Sequence, residues 1–280
     1  MSIHILGALI ALGAAISWGG GDFSGGYAAR KINHFQVLFL TSLSSLSLLL
    51  ILAIVWVEGI PSTTNAIYAI LAGTAGALGL AAFYKGLSIG NVAIVAPVGG
   101  VIGSIIPVLF GIFIQGFPGY PALSGFALAL LGIWLVTKVE NGSDSNLKSS
   151  LGLATLAGLG FGGFLTLIAQ IDGEQIFAPL VVAKFTSLLV AFILIRQSKQ
   201  SMPKFNRSGI ALLSGVLDAG GNMLYLLAIQ FTRLDIAALL SSLYPAGTVL
   251  LSTFILKEKT TISQWIGVAL CITAIMLITL

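Results

Sequence analysis

Three polar side chains stand together late in the chain: Asp218, Asn222 and Tyr225, separated by four and then three residues. At 3.6 residues per turn this spacing puts a carboxylate, an amide and a phenol on one helical face. Asp218 follows Arg207 by eleven residues. That is about 16 Å along a helix axis, near the middle of an apolar span. An ionisable group so deep costs about 2.5–3.5 kcal/mol on insertion scales, which makes it a functional candidate by default. A desolvated carboxylate there suits a proton carrier or a cation contact; the plainer alternative is a tie between helices.

Lys184 precedes Arg196 by twelve residues and lies equally deep. It can pair with Asp218 across helices or hold an anionic group of a solute, so both residues are candidates for coupling. Asp22 follows the run Trp18-Gly19-Gly20-Gly21, whose missing side chains let a helix or a ligand approach the backbone. Pro97, Pro107 and Pro245 each remove a backbone donor from a span. Such interruptions face a cavity or serve as packing kinks. Ser241, Ser242 and Tyr244 add polar groups just before Pro245.

Catalytic patterns are thin by comparison. Gly19-Gly20-Gly21-Asp22 fits the G-x-G-D pattern of intramembrane aspartyl proteases and Pro121-Ala122-Leu123 their P-A-L, but a Tyr-Asp pair is absent. Gly86-Leu87-Ser88-Ile89-Gly90 fits G-x-S-x-G, yet neither His4 nor His34 has a triad context. The sequence contains no H-E-x-x-H and no Walker A loop, so neither zinc hydrolysis nor pumping by ATP within this chain is expected. Cys271, the one cysteine, rules out an internal disulfide and a cysteine metal cluster. No catalytic residue, metal site or cofactor is expected.

The elements that must position these groups follow from composition. Of 280 residues, 57% are hydrophobic and 8% charged, with mean hydropathy +1.06; a soluble domain carries about 25% charged residues. Thirteen Lys/Arg and nine Asp/Glu are too few to coat a soluble body of this size. Glycine, at 34 residues, suits helices packed closely in a bilayer. The net charge of +4 sits in short loops and signals no nucleic-acid partner. A multi-pass protein of a cell membrane, plasma or inner, is expected. The first apolar stretch lacks a positive leader and reads as a retained helix.

About 20 apolar residues cross a bilayer core. Ten stretches qualify: 3–28, 34–57, 65–89, 92–115, 120–138, 150–171, 176–196, 208–231, 234–256 and 261–280. They divide into a first half, 1–138, a polar linker, 139–149, and a second half, 150–280. Tyr84 and Tyr225 are offset by 141 residues, Gly125 and Gly267 by 142, which suggests an internal repeat. Five spans per half is an odd number, so the halves lie with opposite orientation, and the substrate site of such a plan falls at the midplane between them. The fold class is therefore an all-α polytopic membrane protein, ten transmembrane helices in two inverted five-helix repeats around a central cavity. Ten of the thirteen Lys/Arg fall in loops after odd-numbered spans. This places those loops in the cytoplasm and both termini outside.

The segment from Leu234-Asp235-Ile236 through Tyr244-Pro245-Ala246-Gly247 to Leu251 resembles the ninth helix of EamA-type members of the drug/metabolite transporter superfamily. Leu256-Lys257-Glu258-Lys259, with Gln264 and Gly267, resembles the short turn and closing helix of that repeat, and Trp18-Gly19 its opening W-G. In the first half Phe117 stands where the turn's acidic residue is expected. The resemblance covers the whole chain and implies a cavity formed mainly by helices 1, 3, 4, 6, 8 and 9. It implies secondary transport of a small organic solute, amino acids and related metabolites included, often outward and with protons as a possible coupling ion. Carried onto this sequence, the cavity residues are Trp18, Asp22, Tyr84, Gln170, Asp218, Asn222, Tyr225, Ser241 and Tyr244. Many members place both termini in the cytoplasm, opposite to the charge count. The partners expected are the solute, the lipid bilayer and either no second copy or one. The rival reading is a non-transporting intramembrane enzyme or a structural membrane partner.

Overall fold

The computed structural model describes residues 3–88, 92–137, 147–171, 175–204, 208–247, 251 and 261–279. Ten helices lie with both ends among them: α1 (Ile3–Ala29), α2 (His34–Val55), α3 (Thr63–Ser88), α4 (Val92–Gln115), α5 (Tyr120–Thr137), α6 (Leu147–Ile168), α7 (Phe177–Gln197), α8 (Gly209–Ala228), α9 (Leu234–Ser241) and α10 (Ile262–Thr279). Seven of the helices are long and apolar enough to cross a membrane, and α5 and α10 contribute shorter apolar stretches. The polar linker expected at 139–149 lies largely outside the described residues.

Local chemistry sets the helix starts. Asn33 accepts the Phe35 N–H at 2.9 Å and caps α2. Thr261 and Gln264 cap α10 reciprocally, the Thr261 N–H donating to Oε1 of Gln264 at 2.9 Å and the Gln264 N–H to Oγ1 of Thr261 at 3.3 Å. The turn between α4 and α5 needs left-handed backbone at Gly116, φ 78°, and Gly119, φ 97°, where a β-carbon would clash.

The ninth span is broken. Pro245 has no N–H for the Ser241 carbonyl, and α9 ends at Ser241, two turn residues follow, and helix resumes at Tyr244. The local backbone shortens to three-residue bonds, Leu243 to Leu240 at 3.2 Å and Ala246 to Leu243 at 2.9 Å. The Ser241 hydroxyl turns to α1 and donates to the Ala11 carbonyl at 3.2 Å.

Packing is arranged for a bilayer. Bulky apolar residues point outward, Phe113 at 88% exposure and Ile16 at 74%, whereas Ala and Ser dominate the interior. Without a hydrophobic drive between helices in lipid, association relies on close backbone approach. Gly79 and Gly160 supply it between α3 and α6, Gly73 between α3 and the backbone of Ala183 in α7, and Gly132 and Gly267 between α5 and α10. The principal pairs are α1 with α8, α3 with α6, α5 with α10, α4 with α6 and α2 with α7. Each joins one half to the other. Exchanging every helix for its counterpart five spans away turns the α1–α8 pair into α6–α3 and the α2–α8 pair into α7–α3, both observed.

A β-carbon on Gly160 would run into Gly79 and Ala75, whereas one on Gly152 meets open space. Gly160→Val is expected to destabilise the bundle by about 1–3 kcal/mol through overpacking, and Gly152→Ala to leave it unchanged. Thermal unfolding of the detergent-purified variants checks both.

Candidate functional site

The bundle encloses a cavity of about 80 Å³ midway along its helices, room for several water molecules or a small solute. Its polar wall comes from Asp22 on α1, Thr41 and Ser42 on α2, Lys184 and Ser187 on α7, and Asp218 and Asn222 on α8. The apolar wall is largely aromatic: Trp18 of α1, Phe161 and Phe164 of α6, and Tyr244 just past the break in the ninth span. Both halves contribute. The helices implied by the resemblance included α4, none of whose described side chains is in this lining, and did not include α2 and α7, which are present. α4 instead lays Gly99 and Gly103 against α6 at Ala154, Gly158 and Phe161.

An ion pair crosses the cavity. Lys184 Nζ lies 2.6 Å from Asp218 Oδ2, with the two side chains 7% and 17% exposed. The Ser45 hydroxyl of α2 donates to the same carboxylate oxygen at 3.0 Å, so three helices meet on one atom. Lys184 Nζ also stands 5.5 Å from the centre of the Phe164 ring, within reach of a cation–π attraction. Close approach around the pair depends on missing side chains. Gly215 lets Thr41 and Ser44 of α2 press against α8, and Ser44 donates to the Leu212 carbonyl at 2.8 Å.

The other sequence candidates fall at distinct places. Trp18 lies over Gly221, with ring centres 5.9 Å from Tyr225 and 6.4 Å from Tyr244. Tyr225 is fully buried beyond the cavity wall, its hydroxyl donating to the Leu165 carbonyl at 3.0 Å. Tyr84 is buried too, with its hydroxyl beside Gly25 and the Ser214 hydroxyl. Gln170 donates to the Thr166 carbonyl at 3.0 Å at the end of α6, and Ser241 is held by α1 as described above. The cavity thus gathers Trp18, Asp22, Lys184, Asp218, Asn222 and Tyr244. Ser45, Thr41, Ser42 and Ser187 were not singled out from the sequence, although the run Thr41-Ser42-Leu43-Ser44-Ser45 places four hydroxyls inside one apolar span.

The chemistry available is ionic and hydrogen-bonding. Two aspartates share the cavity, but an aspartyl-protease pair holds one proton between two carboxyls, whereas Asp218 is engaged by Lys184. Among the described residues no group of three or more His, Cys, Asp or Glu could hold a metal ion.

A second cluster ties the halves at one rim. Arg233 grips the buried Asp235 with Nε and Nη2 at 3.0 and 2.8 Å, and donates to the carbonyls of Gln115 and Gly116 at 3.1 and 2.6 Å. These carbonyls lie at the end of α4, where the helix has no internal partners for them. At the same rim Glu58 accepts the N–H groups of Ile176 and Ala178 at 3.0 and 2.7 Å and so caps α7.

A sequence model of the EamA-like transporter family matches the chain twice, over residues 5–138 and 148–280. An uncharacterized protein of Methanocaldococcus jannaschii is 32% identical over 130 residues, 46% of this chain and 94% of that relative. A solved crystal structure of a protein superposes with a TM-score of 0.73 over 97% of this chain and 95% of its own, at 13% identity. That likeness shows a shared fold.

Removing one member of a buried ion pair leaves the other uncompensated. Lys184→Met is expected to cost about 3 kcal/mol of stability, and the double substitution Lys184→Met with Asp218→Leu to recover most of it. A double-mutant cycle on thermal unfolding reads the coupling; strictly additive losses would mean that the two charges act independently.

Proposed function

This chain belongs to the EamA-like transporter family, and from that premise we propose that it is a secondary transporter in which two inverted halves alternate around the central cavity. The cargo is a small organic solute related to amino acids, moved outward, with protons as the coupling ion. The observation that carries this reading is the Lys184–Asp218 pair. It stands at mid-depth in a cavity walled by α1, α2 and α3 of one half and α6, α7 and α8 of the other. A site at the interface of repeats near the bilayer midplane is where such transporters hold substrate. Export is the direction that the resemblance implies, and the placement of Lys and Arg supports basic loops in the cytoplasm.

The pair gives a means of coupling. A proton or a charged cargo that binds one partner releases its mate. Release of Asp218, on α8, from Lys184, on α7 of the same half, would alter the bond that Asp218 accepts from Ser45, on α2 of the other half. A ligand shifts such an equilibrium only through differential affinity for its two states.

In proteoliposomes loaded with a panel of amino acids and their derivatives, efflux above that of empty vesicles is expected for at least one compound. Asp218→Asn is expected to lower that rate at least tenfold and flatten its pH dependence while the protein still folds. Unaltered transport and an unaltered pH profile in this variant would reduce Asp218 to a tie between helices.

A further inference from the structure

We propose that Asp22 selects the cargo by charge: the cavity takes a small protonated amine that also presents a hydrogen-bond acceptor, with the ammonium at Asp22 and the acceptor at Nδ2 of Asn222. This deepens the transporter reading by naming its substrate class. Among the described residues the acidic and basic side chains that line the cavity are Asp22, Lys184 and Asp218. Lys184 is committed, since its Nζ is 2.6 Å from Asp218. The ion pairs among the described residues are Lys184–Asp218 and Arg233–Asp235, and neither includes Asp22. Its carboxyl group opens into the cavity. The lining thus holds two carboxyl groups and one ammonium, and a carboxyl without a partner in a low-dielectric site avoids the cost of its charge by holding a proton, which a cation can replace.

A monocationic solute can displace that proton and pair with the carboxylate without altering the net charge of the site. A zwitterion brings a negative charge along with its ammonium, and an anion offers the carboxyl group no partner. The aromatic wall favours the same choice, because ring faces attract ammonium groups, and Trp18 stands one turn from Asp22 on the same helix. Asn222 supplies the second contact. It is 2% exposed and lines the cavity, yet its Nδ2 has no hydrogen-bond partner. A buried donor left unmade is costly, and a carbonyl or ether oxygen on the cargo would satisfy it.

Binding is measured by thermal shift and calorimetry on purified protein, with alaninamide (cation), alanine (zwitterion), N-acetylalanine (anion) and N-acetylalaninamide (neutral). Alaninamide is expected to bind at least tenfold more tightly than alanine, and the two acetylated compounds more weakly still. Asp22→Asn should abolish the preference, Asp22→Glu should keep its sign, and Asn222→Leu should weaken alaninamide several-fold relative to propylamine. Equal or tighter binding of the acetylated compounds overturns the proposal. So does a preference that survives Asp22→Asn, or the failure of every amine to bind at millimolar concentration. Binding with this pattern but no transport in vesicles would instead remove the transporter reading and leave the amine site standing.

Discussion

A charge cannot stand alone in hydrocarbon, and the pair of Lys184 and Asp218 shows how much of the bundle answers to that constraint. The two side chains come from α7 and α8, and the hydroxyl that steadies the carboxylate comes from α2. For them to meet, the backbones around them must run unusually close. Gly73 admits α3 to α7 at Ala183, next to the lysine, and Gly215 admits α2 to α8, one turn from the aspartate. The pair is not where the protein finds its stability, since two desolvated charges rarely outdo a well-packed apolar pair. Close packing of small residues supplies that.

The same logic explains why bulky apolar side chains cover the outside of the bundle as well as filling its core. Many large aliphatic and aromatic side chains face outward while alanine and serine are common inside, because lipid tails already satisfy an apolar surface and only tight contact distinguishes a helix neighbour from a lipid. Polar groups are then stable inside chiefly where each finds a partner, Nδ2 of Asn222 being an exception. Serine hydroxyls meet this condition locally, as Ser104 does by donating to the Gly100 carbonyl at 2.7 Å.

How much of the site was legible in the sequence depended on contrast. Asp22, Lys184 and Asp218 stand out because charges are scarce in apolar spans, and all three reach the cavity. Tyr225 shares the helical face of Asp218, but seven residues advance about 10 Å along the axis. That carries its hydroxyl past the cavity to the Leu165 carbonyl, a separation that angular spacing alone does not register. Ser45 and Thr41 were hidden for the opposite reason, since a hydroxyl that can bond its own helix leaves no pattern. Ten spans were readable from hydropathy, whereas the break at Ser242 and Leu243 was not, because Pro245 is compatible with a kink or an interruption until the contact of Ser241 with α1 is known. The entry of α2 and α7 into the wall depends on contacts between halves more than one hundred residues apart.

The dominance of contacts between halves bears on how the protein is made. α1 finds its main neighbour in α8, α2 in α7, α3 in α6 and α5 in α10, so the first five helices to leave the ribosome have few lasting partners among themselves. They must wait in the bilayer as separate spans, with Asp22 facing lipid or a transient neighbour, until the later helices arrive to enclose it. Assembly is therefore a late docking of one half onto the other. Quality control in the cell would meet a defect anywhere in the second half as a failure of the first.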